Sequence, residues 1–142
     1  MKLLSGLLAL FLFGVLPLYA ADLSDLTFST TNGKVAITYC DRNAIGELVI
    51  PDTIEGNPVT SIGDGSFYLC LGLTHITIPD SITYIGEQAF RLCRSLTSIT
   101  IPDSVISIGR GAFALCGLTA ITIPDAVTSI GDETFANCSS LT

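Results

Sequence analysis

Positive charge is scarce in this chain: six Lys and Arg stand against 13 Asp and Glu, for a formal net charge of −7. A surface of that sign repels nucleic acid and anionic lipid headgroups, so neither is an expected partner. Histidine is scarcer still, His75 being the single one, and its counterparts elsewhere in the chain are Glu47, Ser98 and Ala120. Nucleophilic catalysis needs a base beside an activated nucleophile, so no catalytic residue is assigned and no enzyme is expected. Close cysteine pairs of the metal-knuckle kind are missing too, and with them any reason to expect a metal or a cofactor.

A long apolar run occurs at the N-terminus, where Met1-Lys2 precedes Leu3 to Leu18 and small residues follow at Ala20-Ala21. That order describes a secretory signal peptide over residues 1–20. An uncleaved membrane anchor is the alternative, but Pro17 breaks the run and the small-residue exit follows at once. No cysteine follows the run closely, which argues against lipid attachment there. Cleavage would leave 122 residues of net charge −8, with no membrane span, secreted or held at the cell surface. That length suits one small domain with a continuous but narrow core.

What the chain has in abundance is repetition. Ile50 to Cys70, Ile78 to Cys93, Ile101 to Cys116 and Ile123 to Cys138 each run Ile-Pro-Asp, then Ile-Gly, then Phe-x-x-Cys. The Ile-Gly pairs begin at Ile62, Ile85, Ile108 and Ile130, a period of 23, 23 and 22 residues. A period in that range points to stacked solenoid coils.

Within a coil, Leu73, Ile76 and Ile78 alternate with Thr74, His75 and Thr77, which reads as a short strand with Ile76 and Ile78 inward and Thr77 outward. Pro79, Pro102 and Pro124 end that strand, because proline has no amide for the ladder. A second apolar pair follows, such as Ile82 and Ile85, closed by a glycine that suits a sharp backbone corner. Phe and Cys at i, i+3 then read as one helical turn lying on the core. The expectation is therefore an α/β solenoid of about four coils over residues 45–142, each made of short parallel strands and a helical turn. Over residues 22–44, alternating runs either side of Asn32-Gly33 read as a β-hairpin with a type I′ turn, capping the stack. Thr53 to Pro58 carries a five-residue insertion, and Leu141-Thr142 matches the opening of a further strand, so the solenoid reads as truncated at its C-terminal end.

The phrase Leu96-Thr97-Ser98-Ile99-Thr100-Ile101-Pro102-Asp103-Ser104-Val105, continued by Ile108-Gly109 and Ala112-Phe113-x-x-Cys116, closely resembles the BspA-type leucine-rich repeat of bacterial surface proteins. The likeness spans Ile45 to Thr142. It is specific, because Pro after the strand, the Ile-Gly corner and Phe-x-x-Cys recur together, whereas ordinary leucine-rich repeats carry an Asn ladder that no residue supplies here in phase. The resemblance implies a curved, right-handed α/β solenoid on an exported or cell-surface protein, with adhesion or binding of host or matrix proteins. It supplies no catalytic residues. The chain departs from the pattern at the first-coil insertion, at a one-residue deletion beside Gly117, and at the missing C-terminal coil.

Four columns of side chains follow from the repeat. Phe67, Phe90, Phe113 and Phe135 should stack as core. Cys70, Cys93, Cys116 and Cys138 are expected to be buried free thiols, since one per coil gives none a preferred partner. Cys40 stands outside the column and could be a free thiol or a partner for Cys70. Asp52, Asp80, Asp103 and Asp125 read as turn caps after proline; calcium is the alternative, disfavoured because no second carboxylate per coil keeps phase. The outward face of the main sheet carries Glu47, Val49, His75, Thr77, Ser98, Thr100, Ala120 and Thr122, a shallow and mostly neutral surface where an extracellular or surface protein would bind. No aromatic or Arg anchor stands there. A passive spacer displaying another domain is the alternative function, self-association through an uncapped last coil the alternative contact. Ice binding is disfavoured because the threonines form one column, not paired ranks.

Overall fold

Asn32 and Gly33 both take positive φ, 51° and 69°, as a type I′ turn demands of its two central residues. In the computed structural model, which describes residues 20–142, they join β1 (Leu26–Thr31) to β2 (Lys34–Cys40) as an antiparallel hairpin. The expected signal segment lies outside the described residues apart from Ala20. A 3-10 turn, Leu23–Asp25, enters the hairpin under a capping box in which the Asp22 carboxylate accepts from Ser24 N at 2.7 Å and the Asp25 carboxylate accepts from Asp22 N at 2.9 Å.

The chain then winds through β3 (Ile45–Val49), β4 (Thr53–Ile54), β5 (Asn57–Ile62), β6 (Gly72–Thr77), β7 (Tyr84–Ile85), β8 (Ser98–Thr100), β9 (Ser107–Ile108) and β10 (Ser129–Ile130). One sheet runs β1-β2-β5-β7-β9-β10, with β4 paired on β5, and the other runs β3-β6-β8. All pairings between coils are parallel, and β2 enters the first sheet parallel to β5. The hairpin thus continues the stack by one strand. The five-residue insertion folds on itself: β4 and β5 pair antiparallel around Glu55 and Gly56, both at positive φ.

Alternation decides what is buried. Leu73, Ile76 and Ile78 point inward and Thr77 outward. Between the two sheets Phe67, Phe90, Phe113 and Phe135 stack nearly parallel, with ring centroids 4.9, 5.2 and 5.7 Å apart. Offset stacks of this kind add about 0.5–1.5 kcal/mol per pair beyond area burial.

The third side of each coil corrects the sequence reading. No α-helix occurs among the described residues, so neither the helical turn nor the α/β class holds. Phe-x-x-Cys closes instead as a β-turn, with Cys70 N donating to Phe67 O at 3.1 Å, directly after another in which Ser66 N donates to Gly63 O at 3.3 Å. The third residue of each turn lies at positive φ: Gly65 and Leu69, Gln88 and Leu92, Gly111 and Leu115, Glu133 and Asn137. Both turns are therefore of the type II kind. Alternate amides now face along the stack: Gly65 N, Phe67 N and Leu69 N donate to Glu87 O, Ala89 O and Arg91 O at 2.8, 2.8 and 3.1 Å. A helical turn would aim its amides along its own axis and leave that ladder unmade. Left-handed leucine costs roughly 1–2 kcal/mol, and three ladder bonds per coil at about 0.5–1.5 kcal/mol each offset it.

The Ile-Gly corner is glycine for another reason than backbone angles. Gly63, Gly86 and Gly109 are not among the positive-φ residues. A Cβ on Gly63 would sit 2.8 Å from Ile37 O, and one on Gly109 would sit 2.5 Å from Glu87 N. Two backbones touch at this corner, and no side chain fits between them.

Candidate functional site: the outer face of the three-stranded sheet

Parallel register turns two columns of the repeat into rows. Glu47, His75 and Ser98 lie side by side across β3, β6 and β8, and Val49, Thr77 and Thr100 form the next row. His75 Nδ1 stands 3.0 Å from Ser98 Oγ. Glu47 flanks the imidazole in register without a hydrogen bond to it. Val49 is 66% exposed, and the other side chains of both rows are exposed except half-buried His75. The 23-residue spacing of His75 and Ser98 was the available signal for this contact, one full period.

Glu-His-Ser in line invites a hydrolytic reading, which the geometry does not support. Acyl transfer needs preorganised donors converging on the developing oxyanion, and beside Ser98 Oγ the row supplies only His75 and, beyond it, an acidic Glu47 that donates nothing. What the row offers is hydrogen bonding to a partner.

Ala120 and Thr122 do not join this sheet. Residues 120–123 form no strand, and β8 is its last member. Between β8 and those residues lies a cleft of about 370 Å³ lined by Ile99, Thr100, Ile101, Asp103, Ala120, Ile121, Thr122 and Pro124. Thr119 N to Thr97 O, 3.2 Å, is the last bond across it. A second notch, about 310 Å³, opens beside Gly117 between Arg94 and Ser139. Six of the eight face residues are thus brought together, and two stand across a gap.

The aspartate column is exposed, and it does not cap its turns. The turn bond is backbone to backbone, Ile82 N to Pro79 O at 3.1 Å. The Asp52 carboxylate accepts only from the neighbouring Thr53 hydroxyl, at 3.4 Å. Among the described residues no group of three or more His, Cys, Asp or Glu could hold a metal.

All five cysteines are free and buried. Three donate to the phenylalanine carbonyl of the coil before: Cys93 to Phe67 O at 3.1 Å, Cys116 to Phe90 O at 2.9 Å and Cys138 to Phe113 O at 3.0 Å. Hydrogen bonding to Cys116 and then burial push the Cys93 thiol well above its ordinary range. The column is a second, buried ladder beside the phenylalanine stack.

The profile of the BspA type leucine rich repeat region (6 copies) matches residues 59–142. This chain belongs to the BspA-type leucine-rich repeat family. Its solenoid is similar to a leucine-rich repeat protein of T. pallidum, at TM-score 0.74 and 26% identity, over 87% of this chain and 69% of that one. It is similar also to one from Bacteroides capillosus, at TM-score 0.70 and 32% identity, over 80% and 89% of the two chains. A third, from Bacteroides ovatus, matches at TM-score 0.63 and 36% identity over 82% of this chain, which spans only 38% of that protein. Among curated proteins none matches. Among the described residues of this BspA-type chain, no helix is long and apolar enough to cross a membrane.

Proposed function

We propose that this BspA-type solenoid is an exported, non-catalytic module that binds an extracellular or surface protein, by adhesion or ligand capture, through the outer face of β3, β6 and β8. The observation that carries this reading is the pair of rows: Glu47, His75 and Ser98 beside Val49, Thr77 and Thr100, held in continuous parallel register on three strands. A rigid sheet presenting one acidic group, one imidazole, hydroxyls and an exposed valine can select a partner at little ordering cost. Solenoid sheets commonly serve this way. Export is supported by the leader-like pattern of residues 1–20, and a place within a longer surface protein by the 38% share of the Bacteroides ovatus relative that this chain spans.

A second reading, a passive spacer, is favoured by the lack of a Trp, Tyr or Arg on the face, the residues that most often anchor an interface. The two readings separate by surface binding of the purified protein to a panel of extracellular-matrix and host-surface proteins. A binding module retains at least one of them saturably. Glu47→Ala, His75→Ala and Thr100→Ala each then weaken retention by about fivefold or more, roughly 1 kcal/mol. Thr83→Ala, exposed and off this face, leaves it unchanged. A spacer retains none, and uniform effects of all four variants would also reject the face.

A further inference from the structure

Cys70 breaks the pattern of its own column. Cys93, Cys116 and Cys138 each hold a carbonyl at 2.9 to 3.1 Å. Before Cys70 the stack holds only the cap strand, with Cys40 where a full coil has its phenylalanine, and the Cys70 sulfur stands 3.8 Å from both Cys40 O and Asp41 O. Cys40 Sγ is equally loosely held, 3.6 Å from the same Asp41 carbonyl. Both side chains are buried, 1% and 0% exposed, at the seam where Cys40 N donates to Ser66 O at 2.7 Å. The two sulfurs thus flank one carbonyl, Asp41 O, at 3.6 and 3.8 Å, between the end of the cap strand and the first coil.

We propose that Cys40 and Cys70 are a modification site: with a low-molecular-weight disulfide as oxidant they form a disulfide that staples the hairpin cap to the first coil, while Cys93, Cys116 and Cys138 stay thiols. Geometry separates this pair from the rest. Column neighbours are related by the coil translation, which the ring stack measures at 4.9 to 5.7 Å. Translation-related Cβ atoms keep roughly that spacing, beyond the ~3.5–4.5 Å that a disulfide requires. Cys40 comes from a different element and is free of that constraint.

The chemistry has a natural order. The adjacent Cys40 side chain holds the Cys70 thiol below its ordinary range, and nearby Arg42 helps. The same contact, together with burial, pushes Cys40 up. Cys70 is therefore the first thiolate. When the cap opens locally from the first coil, this thiolate attacks the oxidant RSSR, forming a mixed disulfide and releasing one RS⁻. Cys40, deprotonated in turn, attacks the Cys70 sulfur and releases the second. The two protons lost by the cysteines end on two RSH, and two electrons pass to the oxidant. The bond closes a loop between residues 30 positions apart.

The test is to equilibrate the folded protein in oxidised and reduced glutathione, quench with an alkylating agent under denaturing conditions, and map the peptides. Three alkylated cysteines and one linkage between residues 40 and 70 are the expected result. Cys40→Ser should give four alkylated cysteines and no linkage. Reductant should lower the melting temperature of the parent by several degrees and leave that of Cys40→Ser unchanged. Five thiols at every redox ratio, glutathione adducts without a cross-link, or a linkage within the column would each overturn the proposal. A linkage that forms without any reductant-sensitive change in melting would overturn the stapling role.

Discussion

The junction between the second and third coils and that between the third and fourth are written in nearly the same residues, and only the former is closed on all three sides. At the closed junction β6 pairs with β8, β7 pairs with β9, and Gln88 N, Phe90 N and Leu92 N donate to Arg110 O, Ala112 O and Ala114 O. At the open one β9 still pairs with β10, and Gly111 N, Phe113 N and Leu115 N still donate across, but the main sheet parts after Thr119. Two sequence differences account for it. Cys116 to Leu118 has one residue fewer than Cys93 to Leu96. Ser104 Oγ also donates to Ile82 O at 2.6 Å across the closed junction, and Ser81 Oγ to Asp52 O at 3.4 Å across the one before, where the fourth coil has Ala126. The motif sets the stack; loop length and a hydroxyl clasp set whether the sheet face continues.

The largest expected effect sharpens this contrast through the aromatic stack. Phe90 is fully buried between two rings, and Phe90→Ala should cost about 3–5 kcal/mol. Phe135 is half-buried with one neighbouring ring, 5.7 Å away, so Phe135→Ala should cost roughly half as much. Urea unfolding of both variants checks this, and equal losses would mean that the fourth coil is as tightly built as the second.

A smaller effect lies in the column just before each phenylalanine: Ser66, Ala89, Ala112 and Thr134. Ser66 Oγ is buried without a hydrogen-bond partner, whereas Thr134 Oγ1 donates to Gly131 O at 2.7 Å and Gly109 O at 3.2 Å. A stranded hydroxyl carries a desolvation penalty of about 1–3 kcal/mol. Ser66→Ala should therefore raise stability by about 1 kcal/mol, and Thr134→Ala should lower it by about as much. Thermal melts of the two read the signs directly. A loss for Ser66→Ala would show that its hydroxyl has a partner in solution.

How far the sequence reads follows the same division. Repeat phase, the Asn32-Gly33 hairpin and the inward side of each strand are set by local chemistry, and the structure matches them. The turn side could not be read from i, i+3 spacing, because helix and type II turn both bring Phe67 and Cys70 together; what separates them is an inter-coil bond such as Phe67 N to Ala89 O, a property of the stack. Gly65 and Gly111 at the positive-φ position were the overlooked hint, hidden by Gln88 and Glu133 at the same phase. Glu47, Val49, His75, Thr77, Ser98 and Thr100 were placed outward by alternation alone, but the row linking His75 to Ser98 needed the register, and the stranding of Ala120 and Thr122 needed the deletion beside Gly117 to be read as a change of path.

The finest expected effect decides between the two causes of the open face. Ala126→Ser places a hydroxyl where Ser104 has one, and the 22-residue offset at this junction, seen in Thr128 N to Ile106 O, aims it at Val105 O. If the clasp is what is missing, the sheet should close: stability rises by about 0.5–1 kcal/mol, and hydrogen exchange across residues 120–123 slows by roughly two- to fivefold while that of β8 hardly changes. If the short loop is the cause, the same variant leaves exchange untouched, and one serine inserted after Gly117 slows it instead. A face that closes under either change would carry Ala120 and Thr122 into register with Ser98 and Thr100, lengthening both rows by one residue. Binding through the face would then tighten in the closed variant, whereas a partner seated in the cleft itself would be expelled by it.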